Sequence, residues 1–228
     1  MSLFTLNGGT LRLGQYFSTD AYAKSPEDTM NQLLIVSAVR FEIEPLLAIM
    51  PSIESIECGI GALNTARQHH TLCEAARGKH VLYIGTCGVY GSFHEVQLCQ
   101  SDDLHWVPLC ERLGQSWAIE GLELPVESGL SPLSLELPLA SIVCCQNIAK
   151  TDALAPDVLG RFRQPLLVEN LESYCVAKAV RNSAKSFTGI LGITNQIGLE
   201  ARKEWRQHFQ EAAKLTAEYL APRLSSFV

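Results

Sequence analysis

The sequence lacks an apolar run long enough to cross a membrane. A spanning helix needs about 18 or more consecutive apolar residues, and every apolar run in this chain of 228 residues is shorter. The first residues also lack a basic segment followed by an apolar one, which is the pattern of a secretory signal. We therefore expect a cytoplasmic protein with no membrane partner.

Positive charge is also scarce. The chain has 18 lysines and arginines against 24 aspartates and glutamates, which gives a formal net charge of −6. The basic residues are scattered, whereas a protein that binds duplex nucleic acid gathers them on one surface to neutralise phosphates. Nucleic acid is therefore not an expected partner.

The eight cysteines lack the spacing of a metal site or a disulfide framework. No CxxC pair occurs, and Cys144 and Cys145 are adjacent, so on a strand they point to opposite faces. A chain of this length without a signal peptide belongs in a reducing compartment, where thiols stay free. We predict buried free thiols. The histidines show no ligand spacing either, so no metal site is expected.

Three common motifs of cofactor binding and catalysis are missing. The chain contains neither the GxxxxGK[ST] of a phosphate-binding loop nor the GxGxxG of a dinucleotide site, so ATP and NAD binding have little support. No G-x-S-x-G elbow follows a predicted strand, which disfavours a serine hydrolase. We expect no cofactor.

The composition is that of a globular domain. Hydrophobic residues make up 47% of the chain and charged residues 18%, which is enough apolar material to cover both faces of a sheet. Short apolar runs alternate with glycine turns and helical segments, which predicts a single α/β domain with a central, mostly parallel twisted sheet flanked by helices. We assign residues 32–228 to this domain and residues 1–31 to an N-terminal extension.

The predicted elements follow from periodicity and from start and stop signals. Predicted strands lie at 33–36, 53–57, 81–84, 166–168 and 189–193, with less regular candidates at 96–99, 116–119 and 140–145. Predicted helices begin near Glu42, span 62–77, follow Asp152, and span 171–181 and 199–219.

Polar residues directly after strands are the best candidates for a site, because ligands in open α/β sheets bind outside the carboxyl ends of the strands. Glu42 and Glu172 each open a helix after a predicted strand. Taken singly, each is explained as a first-turn carboxylate that complements the helix dipole. As a pair, one carboxylate can hold ribose hydroxyls while the other activates water.

Two further segments are candidates. The segment 85–88 contains Thr86 and offers free amides and a hydroxyl for an anion or a nucleophilic water, although a tight turn explains it equally well. Asn195 follows a predicted strand, where it could cap a helix. Its carboxamide has one acceptor and two donors, which matches N7–H and O6 of a 6-oxopurine.

In chain order, these segments resemble the purine nucleoside phosphorylase and nucleosidase superfamily. The resemblance covers roughly residues 33–220. It is carried by five segments: 34–42 (LIVSAVRFE), 59–66 (GIGALNTA), 84–88 (IGTCG), 171–172 (LE) and 193–195 (ITN). It implies a nucleoside phosphorylase-like fold.

The resemblance also implies a role for each residue. Glu42 matches the glutamate that positions and deprotonates the attacking water in the hydrolases, and Thr86 matches a hydroxyl residue beside that water. Glu172 matches the glutamate that binds the ribose hydroxyls. Leu171 takes the place of the usual methionine under the sugar, and Asn195 takes the place of the aspartate that assists the leaving purine. By the same resemblance, we expect Val39 and Gly88 to contact ribose or base.

The asparagine changes the expected substrate. An amide cannot supply the proton that an aspartic acid gives to adenine N7, so an oxopurine fits better. Residues 194–198, followed by Trp205, look like the matching stretch of futalosine hydrolases, which release hypoxanthine in menaquinone synthesis. Leu191 stands where nucleosidases often place an arginine, which weakens the case for hydrolysis.

The resemblance therefore implies an N-glycosidase that acts on an inosine-like nucleoside, with futalosine as the preferred candidate. Phosphorolysis and methylthioadenosine cleavage are the alternatives within the family, but we identify no arginines that would form a phosphate site. A catalytically silent nucleoside-binding or storage relative is the alternative of another class. A homodimer is the assembly that the resemblance implies.

Overall fold

The computed structural model describes residues 32–115, 126–127 and 135–225. The expected extension over residues 1–31 and the predicted strand at 116–119 lie outside the described residues. Within the described part of the chain, eight strands form one sheet. They are β1 (Leu33–Ser37), β2 (Ser55–Glu57), β3 (His80–Val89), β4 (Gln97–Trp106), β5 (Val126–Glu127), β6 (Leu139–Cys144), β7 (Leu166–Glu169) and β8 (Ser186–Gln196).

Five of these strands close on themselves as a barrel. β3 pairs with β8, β8 with β4, β4 with β6, β6 with β7, and β7 returns to β3. β1 pairs in parallel with residues 80–84 of β3, on the edge opposite β8, and β2 pairs in parallel with β1. The barrel brings the ends of β3, β7 and β8 together at one rim.

The sheet is mixed, so the expectation of a mostly parallel sheet needs correction. β3–β7, β4–β5 and β4–β8 are antiparallel pairs. The residues that join β3 to β4, 90–96, contain no helix, so the chain reverses direction between these strands instead of crossing over. β8 then lies between them, parallel to β3 and antiparallel to β4.

Helices cover the sheet. They are α1 (Arg40–Ile49), α2 (Ala62–Arg67), α3 (His69–Ala75), α4 (Leu109–Arg112), α5 (Pro156–Leu159), α6 (Ser173–Val180) and α7 (Ala201–Leu224). α1 packs against α7 on one face of β1, β3 and β8, where Ile43, Leu46 and Leu220 share a buried cluster with Leu33 and Ile35. α3 and α6 contact each other and belong to a second, larger cluster that continues into the barrel.

Most predicted elements are present, with changed ends. All five residues of β1 are buried, as predicted for a strand covered on both faces. The predicted helix over 62–77 divides at Gln68 into α2 and α3. The helix predicted after Asp152 begins only at Pro156. The terminal helix, predicted over 199–219, runs from Ala201 to Leu224.

None of the helices in the described residues combines the length and the apolar composition that crossing a membrane requires. All eight cysteines are thiols outside disulfide bonds, as predicted. Their predicted burial holds in part, because Cys73 and Cys175 are half-buried and Cys110 is exposed.

Candidate active site

A cavity of about 380 Å³ opens at the rim where β1, β3, β7 and β8 end. All seven site residues predicted from the sequence line it: Val39, Glu42, Thr86, Gly88, Leu171, Glu172 and Asn195. Residues 38–42 come from the turn after β1 and the start of α1, 86–88 from β3, 169–172 from the end of β7 and the turn after it, and 195–205 from the end of β8 and the start of α7. The structure thus brings together segments that are far apart in the sequence.

Glu42 lies in the first turn of α1 and is buried, with 7% of its surface exposed. Its Oε2 accepts hydrogen bonds from the backbone N–H groups of Ala38 at 3.2 Å and Val39 at 3.4 Å. Its Oε1 accepts from the backbone N–H of Thr86 at 3.2 Å and from the Thr86 hydroxyl at 3.3 Å. Four donors therefore hold the carboxylate in place. Glu42 is thus not an exposed carboxylate that only complements the helix dipole.

The pKa of Glu42 is raised from 4.5 to about 8. Burial is the main cause, because it removes water from the charged form, and the negative charge of Glu172 adds to the effect. The hydrogen bonds from Val39, Thr86 and Ala38 act in the opposite direction. Glu42 can therefore exchange a proton near neutral pH, as a general base requires.

Glu172 is the N-cap residue of α6 and is 5% exposed. Its Oε1 accepts the backbone N–H of Gly61 at 2.7 Å, and its Oε2 accepts the Tyr83 hydroxyl at 3.1 Å. Gly61 has φ +81°, a conformation that favours glycine. Burial raises the pKa of Glu172, and the hydrogen bond from Gly61 opposes that shift.

Asn170 and Tyr83 support this carboxylate and were not predicted from the sequence. The Asn170 side-chain oxygen accepts the backbone N–H groups of Glu172 at 3.0 Å and Ser173 at 2.8 Å. Its amide nitrogen donates to the Tyr83 hydroxyl at 3.3 Å and to the Thr86 carbonyl at 3.0 Å. Asn170 therefore connects the start of α6 to β3. Asn170 directly precedes the predicted site residue Leu171, and this position was the signal that could have marked it as a site residue. Tyr83 lies inside an apolar run, which carries no such signal.

Residues 85–88 do not form the tight turn that was one of the two explanations of this segment. They lie inside β3, whose pairing with β8 continues through a register shift between Cys87 and Gly88. Thr86 directs its backbone N–H to Glu42, so this amide is not free for an anion. A Cβ at Gly88 would lie 2.6 Å from the Asn195 amide nitrogen, so the side chain of Asn195 needs glycine there.

Asn195 also lies within a strand, β8, and does not cap α7, whose N-cap residue is Glu200. Its amide nitrogen donates to the Gln196 carbonyl at 3.1 Å, and its oxygen accepts the Thr194 hydroxyl at 3.0 Å. The opposite amide orientation would place two oxygens against each other at Gln196, so the nitrogen must face that carbonyl. The second amide hydrogen has no acceptor among the described residues.

The aromatic side chains that line the cavity are Phe41 and Trp205. Trp205 stacks on Phe209 with ring centroids 5.1 Å apart and lies 6.0 Å from Phe41. Its indole N–H donates to the Thr86 hydroxyl oxygen at 3.0 Å. No aromatic residue beside a base could be placed from the sequence, and the structure adds Phe41 and Trp205 to the cavity wall.

A buried ion pair that the sequence did not predict lies behind the cavity wall. Arg112 is fully buried and donates to Glu169, which lines the cavity and is 6% exposed. The other carboxylate oxygen of Glu169 accepts the backbone N–H of Ala149 at 3.0 Å. The pair therefore anchors the wall segment that contains Ala149. Leu191, in contrast, belongs to the larger core cluster and does not line the cavity.

No group of three or more histidine, cysteine, aspartate and glutamate side chains is placed to hold a metal ion within the described ranges. The buried acids Glu42, Glu169 and Glu172 instead have hydrogen-bond donors from the protein.

The sequence matches no protein-family model and no curated protein. Solved structures do resemble the chain. The 5′-methylthioadenosine/S-adenosylhomocysteine nucleosidase of Helicobacter pylori superposes with a TM-score of 0.66 at 14% identity, covering 86% of this chain and 98% of that one. The S-adenosylhomocysteine nucleosidase of Streptococcus pyogenes gives 0.64 at 17% identity, covering 86% and 95%.

The native futalosine hydrolase of Helicobacter pylori gives a TM-score of 0.64 at 15% identity, covering 88% of this chain and 98% of that one. These similarities show that the chain has the α/β fold of these nucleosidases over nearly their whole length. The fold that the sequence resemblance implied is therefore confirmed, with a mixed sheet.

Proposed function

We propose that this chain, which has the nucleosidase fold, hydrolyses the N-glycosidic bond of a purine nucleoside. Two buried carboxylates in one cavity carry the proposal: Glu42 and Glu172. Each is oriented by donors from other segments, so both are held in place before substrate binds. Such preorganisation is what a hydrolytic site requires, because the groups need no rearrangement as charge develops.

Glu172 binds the ribose in this proposal. Its oxygens are held by Gly61 and Tyr83, and each oxygen retains a lone pair that can accept a sugar hydroxyl. Leu171 lies beside it and offers an apolar surface for the sugar. The contact fixes the anomeric carbon between the base end of the cavity and Glu42.

Glu42 acts as the general base. As the bond between C1′ and the base nitrogen breaks, its electron pair leaves with the base and an oxocarbenium-like sugar develops. Water attacks C1′, and Glu42 takes the water proton. Glu42 and Thr86 lie side by side on the wall, where their oxygens can hold that water.

Asn195 holds the departing base. Its free amide hydrogen can donate to O6 or to an unprotonated N7, whereas it cannot supply a proton to adenine N7. Hypoxanthine, which is a better leaving group than adenine without N7 protonation, fits this partner. Futalosine is therefore the preferred substrate in this proposal. The protein would then act in menaquinone synthesis, in the cytoplasm and as a homodimer.

Phosphorolysis has less support. Among the cavity-lining residues the one arginine is Arg202, and the buried Arg112 is already paired with Glu169. Within the described part of the chain, a phosphate nucleophile therefore lacks a cluster of cationic partners at the cavity. A silent nucleoside-binding protein is the other candidate, because Leu191 occupies a core position instead of supplying an arginine to the cavity.

The test is release of free base from futalosine, inosine and methylthioadenosine by purified protein in phosphate-free buffer, followed by chromatography. We expect hypoxanthine from futalosine at the highest rate. Release only after phosphate is added would make the protein a phosphorylase. Tight nucleoside binding without release would make it a silent relative.

A further inference from the structure

The Thr86 hydroxyl lies between an obligate donor and an obligate acceptor. The Trp205 indole N–H, which can only donate, is 3.0 Å from the Thr86 oxygen. Oε1 of Glu42, which can only accept when ionised, is 3.3 Å from the same oxygen. Because a hydroxyl has one hydrogen and two lone pairs, the hydrogen points to Glu42 and one lone pair faces Trp205. One lone pair of Thr86 remains.

The indole is held in this orientation by the protein itself. Trp205 stacks on Phe209 at an interplanar angle of 22°, and Phe41 packs against both rings. Phe41 lies in α1 beside Glu42, whereas Trp205 and Phe209 lie in α7. The packing of these two helices therefore sets the position of the indole N–H relative to the base residue.

We infer that Trp205 is a positioning residue for the proposed hydrolysis: it fixes the Thr86 hydroxyl so that Thr86 donates to Glu42 and accepts from the attacking water. A water molecule at this point gives one hydrogen to Glu42 and the other to the remaining lone pair of Thr86. Its own lone pair then faces the anomeric carbon. During attack, the oxygen bonds to C1′ and the proton passes to Glu42, while Thr86 and Trp205 keep their hydrogens.

This inference rests on the proposed function and adds one requirement, that the N–H of Trp205 contributes to turnover. If Trp205 only stacks on the base, its ring matters and its N–H does not. Replacing it with phenylalanine separates the two roles, because phenylalanine keeps an aromatic ring at the position and removes the donor. Phe209→Leu is the matched control, since it weakens the stacking and leaves the indole N–H in place.

The kinetic test is a double-mutant cycle with Trp205→Phe and Thr86→Val on the nucleoside that wild type cleaves fastest. Loss of one hydrogen bond to a polarised hydroxyl predicts a kcat about tenfold lower in Trp205→Phe, with KM changed less than about twofold because the contact does not reach the substrate. Trp205→Phe should lower kcat no further in the Thr86→Val background. Independent, multiplying effects, or a rise in KM at unchanged kcat, would overturn the inference.

A second readout does not need turnover. The chain has three tryptophans, so the Trp205 indole resonance can be assigned in a proton–nitrogen spectrum as the one that Trp205→Phe removes. We expect this resonance to move upfield in Thr86→Val, because the indole N–H loses its acceptor. The shift in Phe209→Leu should be smaller than the shift in Thr86→Val. A resonance unmoved by Thr86→Val would overturn the inference, whereas absence of base release by wild type would overturn the proposed function alone.

Discussion

The hydroxyl of Tyr83 donates to Oε2 of Glu172 at 3.1 Å, from inside the apolar strand β3. Asn170 donates to the same hydroxyl, so the Tyr83 hydrogen is directed to the carboxylate. Burial and the nearby charges of Glu172 and Glu42 raise the pKa of Tyr83 well above 10, and the phenol therefore stays a donor at working pH. A core residue thus orients the group that we assign to the ribose.

Replacing Tyr83 with phenylalanine tests that orientation. Glu172 would keep the Gly61 amide and lose its second donor, so its hold on the sugar would weaken. We expect KM to rise about tenfold, in line with the loss of one hydrogen bond to a charged group, with a smaller change in kcat. Steady-state kinetics measures both. Tyr90→Phe is the control, because the Tyr90 hydroxyl has no hydrogen-bond partner within the described residues. Equal effects of the two changes would contradict the assignment.

The raised pKa of Glu42 predicts the pH dependence of turnover. A general base works in its ionised form, so kcat/KM should rise with pH and level off above about 8, as the free enzyme loses the Glu42 proton. A pH–rate profile with a neutral nucleoside measures this directly. A profile that is flat between about pH 6 and pH 9, roughly the range in which such a base titrates, would contradict a base role for Glu42.

The same shift predicts how stability changes with pH. In the unfolded chain Glu42 ionises near 4.5, but in the folded protein it keeps its proton up to about 8. The folded state binds the extra proton between these values, so this group's contribution to stability is complete below 4.5 and is lost as pH rises to 8. The loss amounts to about 1.4 kcal/mol per pH unit.

Glu42→Gln removes that titration. The variant should therefore gain stability relative to wild type as pH rises through this window, and the difference should be smallest at low pH. Urea unfolding of both proteins across the window measures it. A constant difference would show that Glu42 ionises in the folded protein at its ordinary pKa.

Asn195→Asp is predicted to change the preferred base. An aspartic acid can donate a proton to N7 of adenine, whereas the amide cannot. We expect the ratio of kcat/KM for adenine over hypoxanthine nucleosides to rise by about tenfold or more, which corresponds to about 1.4 kcal/mol of transition-state stabilisation. Competition between methylthioadenosine and inosine measures the ratio. Asn195→Ala, which supplies no donor, should lower both rates, and an unchanged ratio in Asn195→Asp would contradict the assignment.

The Arg112–Glu169 pair predicts a stability effect. Arg112→Met leaves Glu169 buried without its cation, and loss of one partner of such a pair destabilises by about 3–5 kcal/mol. The double variant Arg112→Met/Glu169→Gln removes both charges and should recover much of that loss. Chemical denaturation of the three proteins measures this. A double variant no more stable than Arg112→Met would contradict the buried-charge explanation.

The positions of Glu42, Glu172 and Asn195 could be predicted because each follows or ends a strand, and the carboxyl ends of neighbouring strands meet at one rim. Tyr83 could not, because an apolar run gives no sign of which side chain ends at a carboxylate. The Arg112–Glu169 pair joins residues 57 apart, a contact that only tertiary structure creates.

Strand ends and strand directions were the weaker predictions. Residues 85–88 have the composition of a turn, yet pairing with β8 on one side and the hydrogen bond to Glu42 on the other keep them in β3. The antiparallel pair β4–β8 arises where β8, the last strand in sequence, inserts between β3 and β4. Local periodicity does not specify such a partner.

The most direct test of the account is base release by Glu42→Gln beside wild type, in phosphate-free buffer, on the nucleoside that wild type cleaves fastest. Glutamine keeps the shape and cannot accept the water proton, so kcat should fall by about 10²–10⁴-fold, while nucleoside binding measured by calorimetry stays within about threefold, well under the effect of a lost charged contact. Turnover at the wild-type rate in Glu42→Gln would contradict the central claim that Glu42 activates water for N-glycosidic hydrolysis.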